Sequence, residues 1–253
     1  MGGSIASERC LEFINAQALA PKRAGPPDPA IAPRRVVTIS RQAGSGAHAV
    51  SQELIARLRA RTNDGWLPWK VFDRNLVEKV LEEHDLPERM AAFMPEDRIS
   101  AMSDTMDELF GLRPSSQTLV RKTADTILHL AELGNVVIIG RAGNIITRKL
   151  QGALHVRLIG SLERRIDHVM EYAQLDHKEA SEYVRREDQG RKRYVEKYFE
   201  SDIDDPLLYD LVINTDRVPY AEAGRLIAEA VYGRSQNGVG VVDVTRIAGP
   251  ARV

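Results

Sequence analysis

The sequence has little of several features that would assign it to a class. Cys10 is the single cysteine among 253 residues, which excludes an internal disulfide and is typical of a reducing compartment. No apolar run approaches the roughly 20 residues needed to span a bilayer. The first residues also lack a cationic stretch followed by an apolar one. We therefore expect a cytoplasmic protein that makes no membrane contact.

The net charge of the chain is also close to zero. Lys plus Arg is 35 and Asp plus Glu is 36, and the net charge of -1 predicts no general attraction to nucleic acid. The six histidines do not have metal-ligand spacing with one another or with acids, so no metal site is predicted. Hydrophobic residues make up 43% of the chain, which is enough to fill a core. Local clusters of charge, rather than the total, carry the functional information.

Short β-branched runs alternate with helical patterns through the middle of the chain. Stretches such as "AVSQELIARLRART" place apolar residues at helical spacing between these runs. Strands separated by helices predict an α/β fold, a parallel sheet flanked by helices. Right-handed crossovers would gather the carboxyl ends of the strands at one edge, where ligands bind in such folds. The predicted strands are "RVVTIS", "WKVFD", "NVVIIG", "ALHVRLIG" and "YDLVINT".

The chain divides into one core domain and two ends. Residues 35–233 form the predicted domain, preceded by a proline-rich, flexible extension over 1–34 and followed by a tail over 234–253. Two polar stretches fit the core poorly. We interpret 73–118 as a helical insertion and 186–206 as a lid, both placed to cover an active site.

The stretch "VVTISRQAGSGAHAVSQEL" predicts a strand, a glycine turn and a helix. Backbone N–H groups in the turn Gly44-Ser45-Gly46, with the positive end of the helix behind them, would form an anion-binding loop. The phosphate-loop pattern G-x-x-x-x-G-K-[ST] nevertheless fails in this chain.

Three positions break that pattern. Arg41 stands at the first glycine, Ala47 stands at the lysine, and His48 stands where a hydroxyl would hold magnesium. Arg41 is adjacent to the turn, so it is the candidate to replace the missing lysine. Without such a replacement, the loop would bind a nucleotide and turn it over poorly.

A second motif matches the same residues. Residues 44–49 spell G-x-G-x-x-A, the dinucleotide fingerprint, and Asp73 ends the next strand where a ribose-binding acid belongs. The Tyr-x-x-x-Lys pair of short-chain dehydrogenases is not present, since Tyr194 and Lys197 have the wrong spacing. An NAD(P)-binding oxidoreductase therefore stays open as an alternative at this point.

Arginines stand where phosphoryl transfer would need them. Arg141 comes just past the end of the strand "NVVIIG", where a guanidinium could grip a phosphate bidentately. The alternative is a surface arginine that pairs with a neighbouring acid.

A second basic cluster lies in "VRREDQGRKRYVEKYF". A helix there would let Asp188, Arg191 and Lys192 converge around an anion and would point Glu187 and Arg193 outwards. Arginines on a closing lid supply the charge that phosphoryl transfer requires. The alternative is an ordinary solvated helix face.

Taken together, these motifs resemble the cytidylate kinase-like family of nucleoside monophosphate kinases. The resemblance covers roughly residues 36 to 232, and the order and spacing of its segments are fairly specific. The matching segments are "TISRQAGSG", "KVFDRNLV", "VVIIGRAGNII", "REDQGRKR" and "DPLLYDLVINT".

The resemblance implies a P-loop NTPase-type fold with a monophosphate-binding insertion and a lid. It also implies transfer of the γ-phosphoryl group of ATP, with Mg²⁺, to CMP or dCMP. The ATP phosphates would bind to Gly44, Ser45, Gly46, Ala47 and His48. The acceptor nucleotide would be held by Arg141, Asp188 and Arg121, with Asp73 as a further candidate, while Arg191 and Arg193 would neutralise the transferring group.

The chain also departs from the family pattern. Gly140-Arg141-Ala142 replaces the Gly-Arg-Asp of cytidylate kinases, so one acceptor contact is lost. Loss of one well-placed cation costs about 3 kcal/mol or more, on the order of a hundredfold in rate. A nucleotide-binding regulatory module that has lost catalysis is therefore the second interpretation.

Overall fold

The computed structural model describes residues 35–61, 69–73 and 116–236. The predicted extension over 1–34, almost all of the insertion over 73–118 and all but the first residues of the predicted tail lie outside this range. In chain order the elements are β1 (Val36–Arg41), α1 (Ala47–Arg61), β2 (Lys70–Phe72), α2 (Ser116–Leu133), β3 (Val136–Ile139), α3 (Gly143–Ile146), β4 (Ala153–Ile159), α4 (Leu162–Ala173), α5 (His177–Phe199), a 3-10 turn (Pro206–Leu208), β5 (Leu211–Asn214) and α6 (Tyr220–Gln236).

All five predicted strands form one parallel sheet in the order β2-β3-β1-β4-β5. β1 lies at the centre, where Val36 is in register with Val136 of β3 and with Ala153 of β4. Because helices cover both faces of the central strands, most residues of β1, β3 and β4 are buried, and the polar Thr38, Ser40 and Arg157 are among them. The prediction of a parallel sheet flanked by helices is confirmed.

Successive residues of the central strands pack against different helices. Val37 and Ile39 belong to the core cluster that β1 forms with α1 and α6, whereas Val36 packs in the cluster that contains Ile127 and Leu130 of α2. This alternation follows from the two-residue period of a strand. This alternation fixes the direction in which the loop after β1 leaves the sheet.

Helices α4 and α5 form a third layer over the carboxyl end of β1. Ala43, in the loop after β1, packs in one cluster with Ile166 and Val169 of α4 and Val184 of α5. A capping box starts α5, because the Asp176 side chain accepts a hydrogen bond from the N–H group of Glu179 and the Glu179 side chain accepts one in return. The loop is therefore covered by a regular helix pair.

The predicted lid, residues 186–206, falls on the second half of α5 and the loop that follows it. Its movement stays a prediction. Across the described segments, no helix is both long enough and apolar enough to cross a bilayer.

Candidate functional site

The glycine loop between β1 and α1 is the first half of the site. Gly44 and Gly46 both have φ +79°, a left-handed conformation that glycine adopts without steric cost. A Cβ atom on Gly44 would lie 2.3 Å from the carbonyl oxygen of Arg165, and one on Gly46 would lie 2.3 Å from the ring of Tyr220. The loop therefore needs both glycines, because α4 and α6 press against it.

Side chains from these two helices hold the loop in place. Arg165 is 7% exposed, and its Nη1 donates to the carbonyl oxygen of Ala43 at 2.9 Å. Nδ1 of His168 lies 2.8 Å from the carbonyl oxygen of Gly44 and 3.3 Å from the hydroxyl of Tyr220. The loop is thus a rigid, preorganised turn.

A carboxylate from α5 reaches the same loop. Oδ1 of Asp188 accepts a hydrogen bond from the backbone N–H of Ala43 at 2.6 Å, and Oδ2 accepts one from Nη1 of Arg165 at 2.6 Å. Asp188 is 28% exposed, so the contact is largely shielded from water. One main-chain donor of the glycine loop is therefore satisfied by an acid of the protein itself.

The turn after β3 forms the second half of the site. Gly140, Arg141 and Ala142 have φ values of 80°, 57° and 53°, so two residues with side chains adopt the left-handed conformation. Such residues cost on the order of 1–3 kcal/mol each and cluster at ligand sites. The bonds from Gly143 N–H to the Gly140 oxygen and from Thr147 Oγ1 to the Gly143 oxygen fix the turn against α3.

A small pocket, open to solvent, lies between this turn and α5. We call it the arginine pocket, because three guanidinium-bearing residues line it. None of the described residues that line it is an acid. Such a lining complements an anion. The lining residues are Ser40, Arg41, Gly140, Arg141, Ala142, Asn144, Arg191, Tyr194, Val195 and Ile203.

Arg191 is fixed from the far side of the arginine pocket. Its Nη2 donates to Oε2 of Glu187 at 2.9 Å, and its Nη1 lies 3.5 Å from Oδ1 of Asp188. Asp188 also binds the glycine loop, so this carboxylate connects the two halves of the site. The buried guanidinium of Arg191 is held by two acids behind it.

A buried network supports the floor of the pocket. Arg157 is 5% exposed, and it donates to Oγ of Ser40 at 2.8 Å and to Oδ1 of Asp204 at 2.7 Å. The hydroxyl of Tyr209 donates to the carbonyl oxygen of Ile203 at 2.8 Å, and burial raises the pKa of this phenol. Tyr209 therefore stays a neutral donor, and the pocket wall at Ile203 is anchored to the sheet.

The structure brings together only some of the predicted residues. Arg41, Arg141 and Arg191 line one pocket, and Asp188 joins it to the glycine loop. Arg193 lies on the exposed face of α5.

Four further candidates lie elsewhere in the structure. Arg121 is exposed on α2, and Asp73 is partly exposed just after β2. His48 is exposed and contacts Gln52 one turn along α1, while Ala47 packs against the core cluster.

Two expectations about α5 are wrong. Glu187 does not point outwards, since its side chain is 16% exposed and pairs with Arg191. Lys192 does not converge with Arg191 but lies 3.7 Å from Asp202. The reason is that buried Val184 and Tyr194 set the rotation of α5, which places positions 187, 188 and 191 on the inward face.

Sequence reasoning missed three residues of the site. Arg165 had little signal, because it lies inside α4, whereas Arg141 directly follows the glycine that ends its strand. His168 and Tyr220 had none, since they are 52 positions apart and meet only through packing.

The described side chains do not fit a dedicated magnesium site. No group of three His, Cys, Asp or Glu residues within the described ranges could hold a metal ion. His48 also replaces the hydroxyl that would bind Mg²⁺ in a standard loop. Within the described residues, Mg²⁺ would find its ligands on the phosphates of a bound nucleotide, which are common ligands of this ion.

Comparison with solved structures supports the fold. An uncharacterized protein from Eubacterium ventriosum superimposes with a TM-score of 0.60 at 21% identity, covering 79% of this chain and 99% of the other. A shikimate kinase from Acinetobacter baumannii in complex with shikimate gives 0.43 at 12% identity, with 85% and 100% covered. Only the first of these similarities is close enough to bear on the architecture, and it concerns the architecture alone.

Among curated proteins, a uronate isomerase from Corynebacterium glutamicum is 28% identical over 120 residues. The match covers 47% of this chain but 23% of that protein, so this chain corresponds to about a quarter of the relative's length.

A family model described as the cytidylate kinase-like family matches residues 36–217. The match starts at β1, passes through the glycine loop, the turn after β3 and α5, and ends just past β5. Because it spans well over half of the sequence and both halves of the site, the chain belongs to the cytidylate kinase-like family.

Proposed function

We propose that the protein is a phosphotransferase that moves the terminal phosphoryl group of ATP to a nucleoside monophosphate, CMP or dCMP. The observation that carries the proposal is the arginine pocket. Arg41, Arg141 and Arg191 line one cavity beside a preorganised glycine loop. A phosphate dianion is the group that such a lining complements.

The arrangement of the two halves supports transfer rather than simple binding. The glycine loop leaves β1 directly after Arg41, which also lines the arginine pocket. A polyphosphate on the loop and a monophosphate in the pocket would therefore lie on two sides of this guanidinium. Holding both groups in one site removes the entropy cost of their encounter, and the cations neutralise charge that develops between them.

The residue roles follow from this placement. Arg141 would hold the acceptor phosphate, and Arg191 would act on the transferring group while Glu187 and Asp188 orient it. Asp188 would leave the N–H group of Ala43 when the triphosphate binds to the loop. Arg121, Arg193 and Asp73 are exposed or partly exposed, and we propose that they contribute in the nucleotide-bound protein.

A coupled assay with ATP and each of CMP, dCMP, UMP, AMP and GMP tests the proposal. We expect turnover with CMP or dCMP, and an Arg141→Gln variant should lose about a hundredfold or more in kcat/KM. Arg225→Gln is the matched control, because Arg225 is an exposed arginine that pairs with Glu222 on α6. Background rates with every monophosphate would refute the proposal.

The second candidate is a regulatory module that binds a nucleotide and does not turn it over. Two observations favour it, namely Ala47 in place of the lysine and the Asp188 carboxylate on the amide of Ala43. Isothermal titration calorimetry distinguishes the two candidates. Tight nucleotide binding without product would select the module.

The NAD(P)-binding alternative is not retained. Its sheet would follow the order 3-2-1-4-5-6, whereas this sheet follows β2-β3-β1-β4-β5. It would also require NAD(H) to bind more tightly than ATP, which the same calorimetry measures. The expectations of a cytoplasmic location and of a small nucleotide as the binding partner stay predictions.

A further inference from the structure

Asn144 carries a buried donor that the fold does not use. The residue is 6% exposed and lines the arginine pocket. Its side-chain nitrogen Nδ2 has no hydrogen-bond partner among the described residues. A buried polar atom without a partner is costly, and native proteins leave few of them. A pocket-lining residue that carries such an atom therefore points to a ligand.

The backbone, rather than the amide, fixes the position of Asn144. It follows Gly143, where a Cβ atom would lie 3.4 Å from the side chains of both Thr38 and Ile138, so α3 lies close against the sheet. Thr147 secures the other end of this turn of helix through its bonds to the Gly143 oxygen. Asn144 is thus held beside the strained turn without help from its own Nδ2.

The lining of the pocket defines the chemistry of the ligand group. The lining combines three arginines and Asn144 with an apolar wall of Tyr194, Val195 and Ile203. A group that only accepts hydrogen bonds and carries negative charge matches this lining. A phosphate monoester is such a group, and its attached nucleoside would meet the apolar wall.

We propose that Asn144 is a binding residue for the acceptor phosphate, and that its side-chain amide donates a hydrogen bond to a phosphate oxygen beside Arg41 and Arg141. This inference rests on the proposed function for the identity of the ligand. The guanidiniums supply charge, whereas the neutral amide supplies direction, because its hydrogen bond requires an oxygen nearly in line with the N–H bond.

A structural role and a binding role make opposite predictions for stability. If Asn144 supports the fold, truncation of its side chain lowers the stability of the protein. Removal of an unpartnered buried donor removes an unfavourable group, so the ligand-free protein should unfold at the same or a higher temperature. The affinity for phosphate should fall in the same variant.

The experiment uses the full chain with Asn144→Ala and Asn144→Asp. Binding of CMP, inorganic phosphate and cytidine is measured by calorimetry, and ligand-free unfolding is followed by circular dichroism. For Asn144→Ala we expect about a tenfold or greater loss of affinity for CMP and phosphate, since a hydrogen bond to a charged group is lost. Cytidine binding and the melting temperature should not decrease.

Asn144→Asp should have the larger effect on binding. It places a carboxylate among guanidiniums, so phosphate affinity should fall about a hundredfold while the ligand-free melting temperature rises. Asn214→Ala is the matched control, because the Asn214 side chain accepts a bond from the N–H group of Asp216 away from the pocket. It should lower the melting temperature and leave phosphate affinity unchanged.

Three outcomes would overturn the inference. In the first, Asn144→Ala lowers the melting temperature and leaves phosphate affinity intact. In the second, it weakens cytidine binding but not phosphate binding. In the third, the unmodified protein binds neither phosphate nor any monophosphate. Phosphate binding that depends on Asn144, in a protein without turnover, would instead uphold this inference and refute only the kinase proposal.

Discussion

The glycine loop and the arginine pocket lie side by side at the carboxyl end of β1, yet they are equipped differently. The loop offers only backbone N–H groups and has Ala47 where the phosphate-loop pattern has a lysine. One of its N–H groups already binds the carboxylate of Asp188. The pocket is lined by three arginines and holds the unpartnered amide of Asn144. The acceptor side of the proposed reaction is therefore more completely equipped than the donor side.

The difference teaches that the two halves use different sources of positive charge. Backbone amides and a helix terminus offer only partial charges, roughly half an elementary charge at a helix end. Each guanidinium offers a full charge in fixed geometry. We expect acceptor binding to tolerate changes in the loop, and triphosphate binding to be the step that limits the protein.

The largest expected effect is a difference in kcat/KM between variants of two arginines on α5. Arg191→Gln should lower kcat/KM about a hundredfold, because it removes a buried cation from the pocket. Arg193→Gln should cost much less, since Arg193 lies on the exposed face of α5. Steady-state kinetics with both variants measures the difference.

Arg191 also neutralises Glu187, so its removal leaves a shielded acid without its cation. The double variant Glu187→Gln/Arg191→Gln is the control, because it removes the pair together and should restore stability without activity. Equal losses for Arg191→Gln and Arg193→Gln would mean that α5 must rotate in the active state, and the pocket would then not be complete in this structure.

The next effect concerns the loop alone. Gly44→Ala forces a side chain into φ +79° and against the backbone of Arg165, so we expect a loss of about 2 kcal/mol or more. For a protein of this size that is a fall of roughly 4–8 °C in the melting temperature. Calorimetry should show weakened ATP binding and nearly unchanged CMP binding.

Gly46→Ala is the companion variant, since its Cβ atom would meet the Tyr220 ring rather than backbone. A side chain can rotate, so the loss should be smaller and should shrink further when combined with Tyr220→Ala. Equal loss of CMP and ATP binding in Gly44→Ala would show that the two halves are one unit.

A smaller effect is expected when the missing cation is restored. Ala47→Lys places an ammonium on a preformed turn and should raise kcat about tenfold, with CMP affinity unchanged. Ala47→Met controls for side-chain length without charge. A rate for Ala47→Lys at or below that of Ala47→Met would indicate that another group, such as Arg41, already supplies this charge.

The smallest expected effect is a pH dependence of the protein's stability. It arises at the start of α4, the helix that carries Arg165 and His168. The Asp216 carboxylate accepts a hydrogen bond from the N–H group of Ser161, which lowers the pKa of Asp216. Because the folded pKa is the lower one, this stabilisation is complete above the unfolded pKa of about 4 and is lost as the pH falls through the folded value.

Urea unfolding from pH 6 to pH 3 measures this contribution. The unmodified protein should lose slightly more stability on acidification than Asp216→Asn, which has no carboxylate to protonate. Identical pH profiles would show that this contact does not contribute to holding α4 against the loop.

The fold could be predicted from the sequence because its signals are local. Runs such as "VVII", short, β-branched and bounded by glycines, are typical of buried strands, and the helices between them favour a parallel sheet. The positions of Arg41 and Arg141 followed from their place at strand ends, and that of Arg191 from the helix. That Arg191 faces inwards was also predictable, because Val184, Arg191 and Val195 are spaced to lie on one face of the helix.

The remaining contacts of the site are not local, so no pattern shows them. Asp188 meets Ala43 across 145 positions, and His168 meets Tyr220 across 52. The missing partner of Asn144 is likewise a property of packing, since an asparagine next to a glycine looks like any turn residue. Sequence reasoning found Arg41, Arg141, Asp188 and Arg191 but missed Arg165, and it could not show which charged groups the protein already pairs.

The central place of β1 in the sheet has a consequence for synthesis on the ribosome. Thr38 of β1 bonds His155 of β4, 117 positions later, and the other neighbour, β3, ends at Ile139. β1 thus stays without its two neighbouring strands until β3 and β4, which both follow it in the chain, have been made. Contacts of such separation slow folding and leave strand edges exposed while the chain is incomplete.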